Sequence, residues 1–226
     1  MPGHPAFPVR LASEIFQHSL ASRKAIYNTS IPCVLYDPCC GAAYHLSVLA
    51  YLHRKDIREI IASDIDEKAF ALAKRNLNLL DVAGLDKRIE EISAMLEQYG
   101  KESHKEALKS AYSLKEKLTA KQSVKTKAFQ ANALNPQELL NNIKPGSVDI
   151  IFTDVPYGLH SQWQNSELTS SLNPITAMLD SLLGILSTSS IVAIVSDKQQ
   201  KVSHERYQRI KQLQTGKRRA IILKPV

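Results

Sequence analysis

Cysteine is scarce in this sequence: three residues in 226, two of them adjacent. Three thiols cannot build a disulfide framework, so a reducing, cytoplasmic compartment is expected. None of them pairs with one of the scattered histidines at zinc-ligand spacing, so no metal site is expected. Glycine is also sparse, at eight residues, and the G-x-G-x-x-G fingerprint of dinucleotide-dependent oxidoreductases is missing. No apolar run approaches membrane-spanning length, and the N-terminus lacks the apolar segment of a signal peptide. Acidic residues nearly vanish toward the C-terminus. From Lys198 onward nine lysines and arginines face Glu205 alone, so this segment carries the whole net charge of +7. Charge concentrated on one segment points to a polyanionic partner such as nucleic acid.

What remains has the composition of an ordinary globule, 44% hydrophobic and 23% charged, and the length of one α/β domain over 1–226. Helical spacing of Leu11, Ile15, Phe16 and Leu20 predicts a helix in an N-terminal extension, 1–31. Apolar runs predict strands at Cys33 to Asp37, Ile60 to Ser63, Ala128 to Ala131, Val148 to Asp154 and Ser190 to Ser196. Helices are expected from Ala43, over Glu67 to Leu80 with Asp66 as N-cap, and over Pro174 to Ser187. The charged stretch 84–127 interrupts this alternation. Its two apolar stripes, Ile89-Ile92-Leu96-Tyr99 and Ala107-Leu108-Ala111-Leu114-Leu118, predict an inserted helical pair. Ser161 to Asn173, with the lone Trp163, reads as a loop. Tyr207 to Gln214 and Arg218 to Lys224 close the chain as a hairpin about Gly216.

Three strand ends carry the chemistry. DPCCGAAYHL, Asp37 to Leu46, joins a strand to a helix through small residues, which lets a ligand approach the backbone and the free N–H groups of a helix start. Asp64, ending the second strand at about the 20-residue spacing after the Gly41 turn, suits ribose hydroxyls. DVPYG, Asp154 to Gly158, ends the fourth strand. The Asp154 carboxylate and Pro156 carbonyl are acceptors that can orient an N–H donor, while Tyr157 offers a stacking face.

DPCCG resembles the DPxCGSG corner of S-adenosylmethionine-dependent methyltransferases, and DVPYG resembles the loop of those that methylate amino nitrogens. With LHRK, IIASDID, the charged insertion and TGKRRAIIL, the chain resembles the avilamycin-resistance ribosomal RNA guanine methyltransferases from end to end. The resemblance implies a Rossmann-like α/β fold, with seven strands, helices on both faces and the last strand pair antiparallel. It implies S-adenosylmethionine as cofactor, held by Asp37, Pro38, Cys39, Gly41, Asp64, Ile65, Asn132, Ala133 and Asp154. It also implies catalysis by Asp154, Pro156 and Tyr157 on an exocyclic amino nitrogen of a guanine in large-subunit ribosomal RNA. The partner would be that RNA or the large ribosomal subunit, gripped by Lys211, Lys217 and Arg218, with a monomer favoured and no membrane involved. Ala42 and Ala43 stand where the pattern has Ser-Gly, so the turn is expected to avoid positive φ at Ala43. An Asn at 132 replaces the acid that in many relatives accepts from the adenine amine. Cys39 and Cys40 are read as small buried fillers. The loop recognises an amino group rather than one base, so adenine in RNA or DNA and a protein glutamine stay open. A non-catalytic RNA-binding module would account for the charge, but not for acids at several strand ends.

Overall fold

The apolar runs of the sequence become the strands of one sheet in a computed structural model that describes residues 7–119, 123–156, 163 and 173–226. In chain order the strands are β1 (Cys33–Asp37), β2 (Ile57–Asp64), β3 (Lys125–Gln130), β4 (Val148–Asp154), β5 (Leu186–Asp197), β6 (Tyr207–Thr215) and β7 (Arg218–Pro225). Their spatial order is β3-β2-β1-β4-β5-β7-β6. β1 to β5 are parallel, while β7 runs antiparallel to both β5 and β6. β1 is buried at every position and β4 at all but the last, as strands covered on both faces must be.

Helices α1 (Val9–Tyr27), α2 (Tyr44–Leu52) and α3 (Glu67–Asn78) cover one face. There Ile15, Phe16, Leu46, Leu49 and Leu77 pack with Leu35, Ile60, Ile150 and Phe152. Next in the chain, α4 (Val82–Tyr99) and α5 (Glu102–Thr119) form the expected helical pair, around a small cluster of their own that includes Leu85, Ile89, Ile92, Ala111 and Leu118. Gly84 allows α4 to start against α3, because a Cβ there would fall 2.1 Å from the carbonyl oxygen of Asn78. Finally α6 (Pro136–Asn142) and α7 (Pro174–Leu182) cover the second face, with Leu139, Met178 and Leu179 against Tyr36, Ile61, Ile151 and Val192.

A buried polar network fastens the first helix to the far end of the sheet. Arg23 donates to Asp149 Oδ1 (2.8 Å) and to the carbonyls of Ile31 (2.8 Å) and Ser189 (3.1 Å). Asp149 also accepts from Val34 N (2.9 Å), Ser187 Oγ (3.0 Å) and Arg58 Nη2 (3.2 Å). Each buried charge is thus paired and its hydrogen-bonding capacity used, as burial requires.

Several boundaries differ from expectation for local reasons. β3 begins at Lys125 rather than 128: it is an edge strand whose exposed lysines look like insertion sequence but pair with β2 from Glu59 onward. The helical pair starts at Val82, two residues before Gly84. β2 starts at Ile57, its exposed Arg58 breaking the apolar run. α7 ends at Leu182 and not at Ser187, because β5 already pairs with β4 at Leu186. α6 has no counterpart among the expected elements, although Asn135 caps it and Pro136 opens it.

Candidate active site at the carboxyl edge of the sheet

The strand order reverses direction between β1 and β4, and ligands of open α/β sheets bind in the crevice at such a switch point. Asp37 ends β1, Asp64 ends β2 and Asp154 ends β4, so the three acids share the carboxyl edge.

The turn after β1 is held from several sides. Asp37 Oδ1 accepts from Cys39 N (3.0 Å), and Ser63 O accepts from Cys40 N (2.9 Å). Asp64 Oδ2 accepts from Gly41 N (2.8 Å), and Asn76 Nδ2 donates to the Ala42 carbonyl (2.8 Å). Gly41 has φ +52°, and a Cβ there would meet no heavy atom within 4 Å, so open space borders its backbone. Ala43 corrects the expectation for this turn: its φ is 54°, left-handed without a glycine. That conformation costs an L-residue about 1–2 kcal/mol, and the bonds on both flanks hold it in place.

Asp64 is tied by backbone on both oxygens, Oδ1 accepting from Asp66 N (3.0 Å), and Asp66 caps α3 through Ala69 N (2.7 Å). Burial raises the Asp64 pKa; bonds from Asp66 and Gly41 only partly offset it, and Asp37 adds to the rise. Each Asp64 oxygen accepts one backbone bond and keeps a further lone pair, which suits ligand hydroxyls. Pro38 contributes a carbonyl that accepts from Ser63 Oγ (3.4 Å), and Ile65 one that accepts from Gln130 Nε2 (2.9 Å). Asn132 spends Oδ1 on Leu134 N (3.0 Å), leaving one lone pair and the NH₂ group for a ligand. Ala133 is buried and its carbonyl accepts from Ser181 Oγ. The thiols of Cys39 and Cys40 are pushed well up by burial, with Asp37 and Asp64 adding to it, which keeps them protonated. Among the described residues no group of His, Cys, Asp and Glu is placed to hold a metal.

Sequence reasoning passed over His45. It sits in the first turn of α2, buried, with Nε2 3.0 Å from Asp37 Oδ2 but off the hydrogen-bonding axis. Its ring packs against Phe152 (5.0 Å between centroids) and Phe7 (5.7 Å), which also touch each other. Burial opposes the imidazolium, but Asp37, the charge of Asp154 and the Phe152 carbonyl outweigh it and raise the pKa. Nothing in the sequence separates His45 from a solvated helix residue. Of the loop after β4, Asp154 and Pro156 are described, whereas Tyr157, Gly158 and most of 161–173 lie outside the described residues. The register pairs Asp154 with Val195 and Asp197 with Arg218, so the β6–β7 turn lies at this same edge. Lys217 is exposed there, Arg218 lies over the Phe7 ring at 5.4 Å, and the exposed Lys211, further along β6, lies 3.1 Å from His18 Nδ1.

This sheet, with its acid-lined switch point and closing hairpin, defines a methyltransferase of the Rossmann-like class. The family described as rRNA methyltransferase AviRa matches residues 1–218. The chain is 37% identical, over 99% of its length and 86% of the relative's, to the 23S rRNA (guanine(2535)-N(1))-methyltransferase of Streptomyces viridochromogenes. The rRNA methyltransferase aviRa from the same organism, solved at 1.5 Å, superposes with a TM-score of 0.80 at 34% identity, covering 99% of this chain and 87% of that one. TrmN from Thermus thermophilus shares the fold, with a TM-score of 0.55 at 15% identity over 96% of this chain and 48% of that one. The chain belongs to the AviRa rRNA methyltransferase family. Its cofactor is S-adenosylmethionine, and the corner fits it: open space beside Gly41 and carboxylates at the ends of β1 and β2 suit a ligand carrying an ammonium and ribose hydroxyls.

Proposed function

We propose that this protein methylates N1 of a guanine in large-subunit ribosomal RNA, acting in the cytoplasm. One observation carries the reading: two acceptors, the Asp154 carboxylate and the Pro156 carbonyl, stand two residues apart where β4 leaves the cofactor crevice. Guanine presents N1–H and an N2 amine side by side, two donors for two acceptors. Adenine presents an acceptor at N1, which would face an acceptor here. The 37% identical relative is a guanine N1-methyltransferase, which supports the same base and atom.

S-adenosylmethionine supplies a methyl group already activated by a positive sulfur, so the chain's residues mainly position and deprotonate. In this reading Asp37 and the Cys39–Gly41 turn hold the amino-acid part of the cofactor and Asp64 the ribose. Asn132 and Ala133 border the adenine. Asp154 accepts the N1–H bond and would take that proton as the N1–carbon bond forms and the sulfur–methyl bond breaks, its electron pair leaving with the sulfur. The Pro156 carbonyl accepts from N2 and keeps the ring in register. Lys217 and its neighbours bind phosphate. Methylation of the exocyclic N2 is the second reading, favoured by the Asp-Val-Pro-Tyr order of the loop. The test is nucleoside analysis of RNA after incubation with labelled cofactor and either naked large-subunit RNA or the assembled particle. Label in 1-methylguanosine is expected. Label in N2-methylguanosine selects the second reading, and label in adenosine alone removes both.

A further inference from the structure

The Pro156 carbonyl has a partner that the sequence did not single out. Gln200 Nε2 donates to it at 3.1 Å, across 44 residues. The carboxamide is fixed at its other end, where Gln200 Oε1 accepts from Asp197 N at 3.1 Å. The Gln200 backbone is held in turn: its N–H donates to Asp197 O at 3.0 Å, and its carbonyl accepts from Arg219 Nη2. Asp197 ends β5 and Arg219 belongs to β7, so the residue is braced from two strands, its carboxamide by β5 and its backbone by both. Gln200 and Arg219 are both half-buried, which limits competition from solvent. Only one orientation of the amide satisfies both bonds, since the end at Asp197 must accept and the end at Pro156 must donate.

We infer that Gln200 is the positioning residue for the reaction: it occupies one lone pair of the Pro156 carbonyl and thereby aims the other at the substrate amine. The inference rests on the function proposed above. Proline has no N–H, so the Val155–Pro156 peptide offers no donor of its own to anchor the loop. A carbonyl oxygen can accept twice, and a donor fixed on one side sets the direction from which the second donor must come. Misplacing a positioning group by about 1 Å can cost on the order of a hundredfold in rate. Gln200 does not touch the reacting atoms in this account. It acts through Pro156, and Arg219 acts through Gln200.

The test uses the full chain and RNA substrate, with Gln200→Glu and Gln200→Met beside wild type and Asp154→Asn. Glu can still accept from Asp197 N but, as a carboxylate, repels the Pro156 carbonyl. Met keeps the length and loses both bonds. Both variants should lower kcat by about ten- to a hundredfold, while the cofactor Kd and the KM for RNA stay within about twofold of wild type. A purely structural role would instead lower thermal stability and cofactor affinity together. If Gln200→Glu fails to fold, Gln200→Met alone decides. A wild-type kcat in the folded variant, or a loss that only follows the folded fraction, overturns the inference. If wild type methylates no guanine, or Asp154→Asn keeps full activity, the proposed function fails, independently of Gln200.

Discussion

The carboxylate of Asp37 serves two neighbours: one oxygen holds the turn at Cys39, and the other faces the buried ring of His45. Asp37 and the charge of Asp154 overcome burial and raise the histidine's pKa above its ordinary 6.5. A histidine whose pKa rises on folding adds stability that is complete below the unfolded value and is lost as pH rises through the folded one. The stability of wild type relative to His45→Gln should therefore be greatest in mildly acidic buffer and shrink as pH is raised past about 6.5. Denaturant titrations at several pH values check this, and a pH-independent difference would contradict it. Asp64 makes a second residue-level prediction. Asp64→Asn keeps one acceptor and loses the charge, so cofactor binding should weaken by roughly 1.5–3 kcal/mol, the range for hydrogen bonds to charged groups. Calorimetry returning the wild-type affinity in a folded variant would remove Asp64 from the cofactor site.

At the scale of elements, a buried ion pair away from the site joins the first helix to the sheet. Arg23 crosses from α1 to Asp149 at the start of β4, and both are buried. Breaking a buried pair from one side typically costs about 3–5 kcal/mol. Arg58 remains beside Asp149, so Arg23→Ala should fall at the lower end of that range in urea unfolding. A loss below about 0.5 kcal/mol, ordinary for a surface change, would mean the network does not fasten α1. Legibility in the sequence followed the same physics. β1 and β4 are buried on both faces and read as apolar runs, β4 interrupted only by Asp149 and Thr153, so their acid-tipped ends were legible too. β3 was blurred because an edge strand can carry lysines, and α6 because seven residues hold too little periodicity to register. His45 and Gln200 gave no local signal, since their importance comes from partners far away in sequence: Phe7 and Phe152 for one, Pro156 for the other. At Ala43 a rule about glycine misled, because the surrounding hydrogen bonds hold the conformation that the side chain disfavours.

For the whole molecule, the charge asymmetry acquires a location. The antiparallel hairpin returns the basic C-terminal segment to the carboxyl edge, where its turn brings the exposed Lys217 beside the same edge as the three acids. Its cations are not equivalent: Lys217 is free to reach outward, Lys211 stands against His18, and Arg218 rests on Phe7. Replacing Lys211, Lys217 and Arg218 with Gln should weaken RNA binding and flatten the slope of log affinity against log salt, by about 0.7–0.9 for each phosphate no longer neutralised. An unchanged slope would make the hairpin a solubilising surface. Among the described residues no helix is long and apolar enough to cross a membrane.

Asp154 at the end of β4 carries the proposed reaction, and the most direct test is single-turnover methylation of large-subunit RNA by Asp154→Asn beside wild type, with cofactor affinity determined on the same preparations. The predicted result is a rate lower by about a hundredfold or more, comparable to losing one preorganised polar group, with cofactor affinity essentially kept. A near-wild-type rate from the folded variant would contradict the assignment of the reaction to this edge of the sheet.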